Sequence, residues 1–256
     1  MLLHRIEFDI HLYGNFIWKK EETMKKILLV LMTIILLISC KKSIDASSLL
    51  EESHQALTRK ESYSGSIDST LEMESEGEKT VQNERKEFSI ISENNLSKLS
   101  KTTQFEGGEV EDRLGQPSYE AYTETNPENP EEINVYNLYE GQWSKEVVAK
   151  ELDGQSKVRN DALYEQQDLW NKLLAQKEKF QLEEESGEKV QLKGELEDGV
   201  YTIRIDKESK LPLEVKADIM YSKDEKGNPL TSPIVWTYDY EEAQEIVIPD
   251  EAKAVQ

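Results

Sequence analysis

The sequence predicts an α+β fold, mainly antiparallel β, whose sheet curves around two helices. Three observations predict it. Many segments alternate apolar and polar residues with a period of two, the pattern of strands that are wet on one face. Two segments switch to helical spacing. Those two helical segments stand far apart in the chain, which suits a sheet curving around helices better than two stacked sheets.

Taken in order, the first element is a processing signal. Lys25 and Lys26 precede Ile27 to Ile38, twelve residues that are apolar except for Thr33. Twelve is short of the roughly 20 that span a bilayer. A basic start, a short apolar run and a small residue at its end describe a secretory signal. The closing quartet Leu37-Ile38-Ser39-Cys40 resembles the bacterial lipobox, which implies a diacylglyceryl group on Cys40 and cleavage before it. The other reading is a buried segment with an inert cysteine. Residues 1–23 do not fit a signal, so the start is expected at Met24. Lys20-Glu21-Glu22-Thr23 permits a purine-rich ribosome-binding sequence before that codon. The expected organisation is leader 1–23, lipoprotein signal 24–39, tether 40–45 and one domain over 46–256.

Within the domain, Ser48 and Glu51 form a capping-box pattern, and Leu50, His54 and Leu57 follow at helical spacing, giving a helix over 47–59. The period then becomes two. Tyr63, Gly65, Ile67, Ser69, Leu71 and Met73 share one phase, so 63–73 is a strand. Further strands are predicted over 80–91, 97–106, 120–125, 133–139 and 143–148, with a hairpin turn at Glu140-Gly141. Residues 107–117 and 126–132 read as loops. A second helix is predicted over 161–179, its leucines and Trp170 along one side to pack on the sheet. Strands resume over 190–196, 201–206, 211–221 and 233–240. In the last, Ile234, Trp236, Tyr238 and Tyr240 share a side.

The charge excludes some functions. The chain holds 52 Asp and Glu against 31 Lys and Arg. Four of those acids and five of those bases precede Cys40, leaving the mature part near −22. Such a surface repels nucleic acid, whose binding needs clustered cations, and anionic headgroups as well. The acyl anchor therefore has to hold the domain at the membrane. After lipidation no thiol remains, and His54 is the one mature histidine, read as a helix-face residue. There is no nucleophile elbow, phosphate loop or zinc-helix motif. The turn 224–228 lacks the ligands of a calcium loop, and Glu183-Glu184-Glu185 reads as solvated charge. Neither an enzyme, a cofactor nor a metal site is expected, and the domain is expected to be a monomer.

Several stretches carry a resemblance: the lipobox; the first helix running through Lys60-Glu61-Ser62-Tyr63-Ser64 into a strand; Val135-Tyr136 with Gly141-Gln142-Trp143; and Ile205-Asp206-Lys207-Glu208-Ser209 before Leu211-Pro212-Leu213. The ending Ile246-Val247-Ile248-Pro249-Asp250-Glu251-Ala252 belongs with them. In these the chain resembles a family of uncharacterised Gram-positive envelope lipoproteins, similar to the LolA and mycobacterial glycolipid-carrier group. That resemblance implies a half-barrel closed by helices around an apolar hollow for acyl chains. The expected function is a lipid-anchored, extracytoplasmic, non-catalytic binder or carrier of a hydrophobic ligand. Its lining would come from Tyr63, Ile67, Leu71, Val215, Ile219, Trp236 and Tyr238. The alternative, which the residues leave open, is an envelope interaction or sensory module in which the same side chains fill a solid core.

Overall fold

The computed structural model describes residues 44–75, 78–107, 119–150, 160–223, 229–241 and 245–255. The expected start at Met24, the signal, Cys40, most of the predicted loop 107–117 and the acidic turn 224–228 lie outside these residues.

The first helix, α1 (Ala46–Thr58), begins one residue earlier than predicted, because the Asp45 carboxylate takes the cap by accepting from the Ser48 amide. Six strands follow: β1 (Ser62–Ser75), β2 (Glu78–Ile91), β3 (Leu96–Glu106), β4 (Tyr119–Thr125), β5 (Glu132–Tyr139) and β6 (Gln142–Ala149). The second helix, α2 (Ala162–Ala175), is capped by Asp161, whose Oδ1 accepts from the Tyr164 amide at 3.0 Å. It stops short of the predicted Lys179. Gln176 leaves helical backbone, one tight turn follows, and Phe180 opens a strand that the sequence reading missed. Five strands complete the sheet: β7 (Phe180–Ser186), β8 (Lys189–Leu196), β9 (Gly199–Asp206), β10 (Pro212–Lys223) and β11 (Pro229–Asp239). A last short helix, α3 (Asp250–Lys253), ends the described chain.

All eleven strands form one antiparallel sheet in the order β6-β5-β4-β3-β2-β1-β11-β10-β9-β8-β7. It is two meanders, β1–β6 and β7–β11, joined where β1 pairs with β11. The sheet does not close on itself: β6 and β7 are its edges. Since α2 lies in the chain between those two edges, it is the element that carries the chain across the sheet.

Both long helices pack on one face, α1 against β7 and β10 and α2 against β2 and β3. The strand register carries that face along continuous rows of side chains, because partners directly opposite in a ladder share a side. Tyr63, Ile67, Phe88, Ile90, Leu99, Leu192, Ile203, Val215, Trp236 and Tyr238 stand on it, all buried. Tyr63, Phe88 and Tyr238 form an aromatic group with ring centroids 6.2–6.3 Å apart.

The opposite face is wet over the centre of the sheet, where Arg85 reaches Asp68 and Glu87 at 3.3 and 3.2 Å. Over β4–β6 it is covered. Ile246, Ile248 and Ala252 of the C-terminal segment are buried there against Tyr122 and Tyr136, with Ile91, Leu96 and Trp143 packed around them. Strand alternation predicts no such cover, which is built by the ending Ile246 to Ala252.

Candidate functional site

On the helix-bearing face, the phase of β2 that carries Phe88 and Ile90 also carries Glu84 and Lys86, and the phase of β3 that carries Leu99 also carries Lys101. The register lines up Ile67, Lys86, Lys101, Tyr119 and Tyr139 across five strands. Two lysines directly opposite each other repel. Glu84 relieves this by contacting both, Lys86 at 3.5 Å and Lys101 more closely. Glu165, on the first turn of α2, reaches Lys86 at 2.5 Å. The result is an alternating series Glu165, Lys86, Glu84, Lys101, every member less than a third exposed. Burial alone lowers the Lys86 pKa, but the carboxylates of Glu165 and Glu84 outweigh it and hold the ammonium above its ordinary value.

Lys86, Lys101 and Glu165 border a hollow of about 550 Å³ between β2–β6 and the start of α2. That is within the usual range for small-molecule sites. Leu99, Phe105, Val135, Tyr119 and Tyr139 give it apolar and aromatic wall, while Lys86, Lys101, Asn137, Glu146 and Glu165 give it polar groups. Tyr119 fixes its rim: the hydroxyl lies 2.6 Å from Asn137 Oδ1 and 2.8 Å from the Asn160 carbonyl, just ahead of α2. Burial, then the nearby charges of Asp161, Glu146 and Glu165, push that phenol well above the ordinary tyrosine value, keeping it a donor. Chemically the hollow suits a molecule with both an apolar body and a hydrogen-bonding head.

A second hollow, of about 430 Å³, lies between α1 and α2 over the ends of β1, β2 and β5. Leu57, Tyr63, Ile90, Ile133, Leu163 and Trp170 line it, with His54 and Gln166. His54 is half-buried, its ring centroid 5.4 Å from that of Trp170, and burial lowers its pKa.

All seven residues expected to line a cavity lie on the helix-bearing phase of their strands, through the register that pairs Ile67 and Val215 with Trp236. Tyr63, Ile67, Val215, Trp236 and Tyr238 are buried, while Leu71 and Ile219 are partly covered. None borders the first hollow, and only Tyr63 borders the second. The five buried ones belong to the packed core of that face. The first hollow opens where charged and amide residues interrupt the apolar phase, at Lys86, Lys101 and Asn137. That interruption was its sequence signal, and a search for apolar alternation passes over it.

Among the described residues no group of three or more His, Cys, Asp or Glu is placed to hold a metal ion, and no helix is long and apolar enough to cross a membrane. No protein-family model and no curated protein matches the chain. Among solved structures it is similar to a DUF1329 family protein from Desulfovibrio piger, at 13% identity and a TM-score of 0.27, over 78% of this chain and 93% of that one.

Proposed function

We propose that this chain is a lipoprotein of the extracytoplasmic membrane face, anchored through lipid on Cys40, that binds or carries a hydrophobic, lipid-like ligand without catalysing a reaction. In this reading the open sheet is a LolA-like half-barrel, α1 and α2 close it, and the ligand lies between helices and sheet. The observation that carries the reading is the hollow of about 550 Å³ on the helix-bearing face, with aromatic and aliphatic walls beside a neutralised series of charges. An amphiphile matches both parts. The acidic surface keeps the domain off anionic headgroups, so the anchor and not the protein surface supplies membrane residence.

The test is native mass spectrometry and lipid extraction of the domain from Lys41 onward, purified from a host with membranes. A stoichiometric amphiphile is expected, and Val135→Phe should displace it by filling the hollow. A domain that stays empty, and stays empty when offered monoglycerides, overturns the reading. For the anchor, Cys40→Ser in the full chain should abolish incorporation of labelled palmitate and release the protein from the membrane fraction. Incorporation that persists in Cys40→Ser places the lipid elsewhere.

The second reading, an interaction or sensory module, draws on the filled core beneath α1, where Val215 and Leu192 are fully buried. A stoichiometric protein partner captured by an empty domain would favour it.

A further inference from the structure

Exposed apolar residues gather at one end of the sheet. Among the described residues, four of the eight large hydrophobic side chains left exposed are Met73, Met220, Tyr221 and Leu230, near the end of β1, the end of β10 and the start of β11. Apolar residues scattered singly need no explanation, whereas a group of them marks a contact surface. The β1–β11 register, continued from Ser69 opposite Ile234, brings Met73 level with Leu230 on the helix-bearing phase. A bulge between Met220 and Ser222 takes Tyr221 out of the ladder. Its hydroxyl donates to the Glu72 carbonyl at 2.8 Å, which lays the side chain across the strand ends. The acids beside Met73 take the other phase of β1, where Glu72 pairs with Lys79 at 2.7 Å.

The start of the domain stands at the same end. α1 finishes where β1 begins: the Ser92 amide and hydroxyl donate there to the Glu61 and Lys60 carbonyls. The other half of α1 is tied down by the ion pair of Glu51 with Lys177, just ahead of β7. From Phe180, the first residue of β7, the ladders run through Gly194, Tyr201, Ala217 and Ile234 to Ser69. α1 therefore starts about level with Ser69, and β1 runs on from there to Ser75, about 20 Å along the strand. Fully extended, the chain from Cys40 to Asp45 covers at most about 18 Å. An anchor on Cys40 thus brings the bilayer no further from α1 than the strand ends themselves reach.

Resting on the Cys40 anchor of the reading above, we propose that the ends of β1, β10 and β11 stand on the bilayer, with Met73, Tyr221 and Leu230 in its interface. Tyrosine suits that depth, because its ring is apolar and its tip polar. The patch is too small to hold an acidic domain on a membrane unaided. The anchor makes the contact intramolecular, at the effective concentration that a short tether sets. What the contact adds is orientation: the strands stand on the membrane, and the turns at their other ends, Glu188 among them, point away.

The experiment follows the full chain, lipidated by its host and reconstituted into phosphatidylcholine vesicles, with a tryptophan probe at either end of the sheet. On reconstitution the emission of Leu230→Trp should shift to the blue. Phosphatidylcholine brominated along its acyl chains should quench it severalfold more than it quenches Glu188→Trp. Met73→Trp, on the neighbouring strand, is the second probe and should behave as Leu230→Trp does; both sites are more than a third exposed, so the fold tolerates them. Adding Met73→Asp to Leu230→Trp should remove most of the quenching while palmitate incorporation and vesicle residence persist. Probes no more quenched than Glu188→Trp, on a protein that stays with the vesicles, overturn the proposal and leave the anchor standing. A blue shift without quenching means that protein covers the strand ends, a second copy or a partner, and overturns it as well. A full chain that takes up no palmitate and leaves the vesicles removes the anchor, and the proposal falls with it.

Discussion

At Gly65, where β1 joins β11, there is no room for one added carbon. A Cβ there would lie 2.0 Å from the Thr237 carbonyl oxygen and 2.7 Å from the Phe88 ring. Because the first obstacle is backbone, the strands themselves must separate. Gly65→Ala is expected to lower stability by about 1–3 kcal/mol, read as a lower urea midpoint at unchanged slope. An unchanged midpoint would mean that the seam is not close-packed. Lys86 supplies the second residue-scale prediction. Its pKa is raised on folding, so the stability it contributes is fully present below the ordinary value of 10.5 and is lost as pH rises through the higher folded value. The stability difference between wild type and Lys86→Met should thus be constant from neutral pH to about 10 and shrink above 10.5. Urea titrations across that range check it, and a difference that grows with pH contradicts it. Neither residue was legible alone: Gly65 read as one more member of an apolar phase, and Lys86 as a polar residue on a strand.

Elements were far more legible than sites. The alternation of Leu211, Leu213, Val215, Ala217, Ile219 and Tyr221 marked β10, and Tyr63 to Met73 marked β1, because strands buried on one side write their burial into the sequence. β7 was missed because it is an edge: after Phe180, which packs over Gly194, every residue is exposed, so Gln181 to Ser186 carries almost no alternation. The predicted helix end at Lys179 was the same error seen from the other side. The outer-face core was missed for a related reason. Tyr122 and Tyr136 are buried by a segment more than a hundred positions away, and no local period encodes that cover. Their hydroxyls donate to Glu124 and Glu120, Tyr136 to the former and Tyr122 to the latter, each at 2.8 Å. Burial, helped by Glu124, pushes the Tyr136 phenol up to about 12. The segment should therefore hold as a packed element and not as a loose tail. Ile248→Ala, at a site 4% exposed, is expected to cost about 2–4 kcal/mol, with Trp143 emission shifting to the red as the cluster admits water. A cost near zero would mean that the segment does not stabilise the sheet.

At the scale of the whole molecule, the two meanders differ from the seam that joins them in how far apart in sequence their partners lie. Within a meander each strand pairs with the one next to it in sequence, as Leu196 opposes Gly199 in the β8–β9 hairpin, so partners lie far closer in the chain than across the seam. The seam pairs the first strand with the last. The hydroxyls of Ser66 and Thr237, 2.9 Å apart, are separated by 171 positions. Closing so long a loop before its contacts form costs entropy that local hairpins do not face, so the meanders should form first and the seam last. Both hollows lie mainly over the β1–β6 meander and α2, so their shape depends on α2 docking as well as on the strands. In Ile67→Val, where Ile67 opposes Trp236 across the seam, a loss of about 0.5–1.5 kcal/mol should appear almost entirely as faster unfolding. Ile203→Val, in the β8–β9 hairpin, should lose a comparable amount partly as slower folding. Stopped-flow chevrons on the domain from Lys41 onward separate the two, provided each variant loses more than about 0.6 kcal/mol. If Ile67→Val slows folding as much as Ile203→Val does, the seam is part of the nucleus, and the two meanders cannot be treated as earlier units.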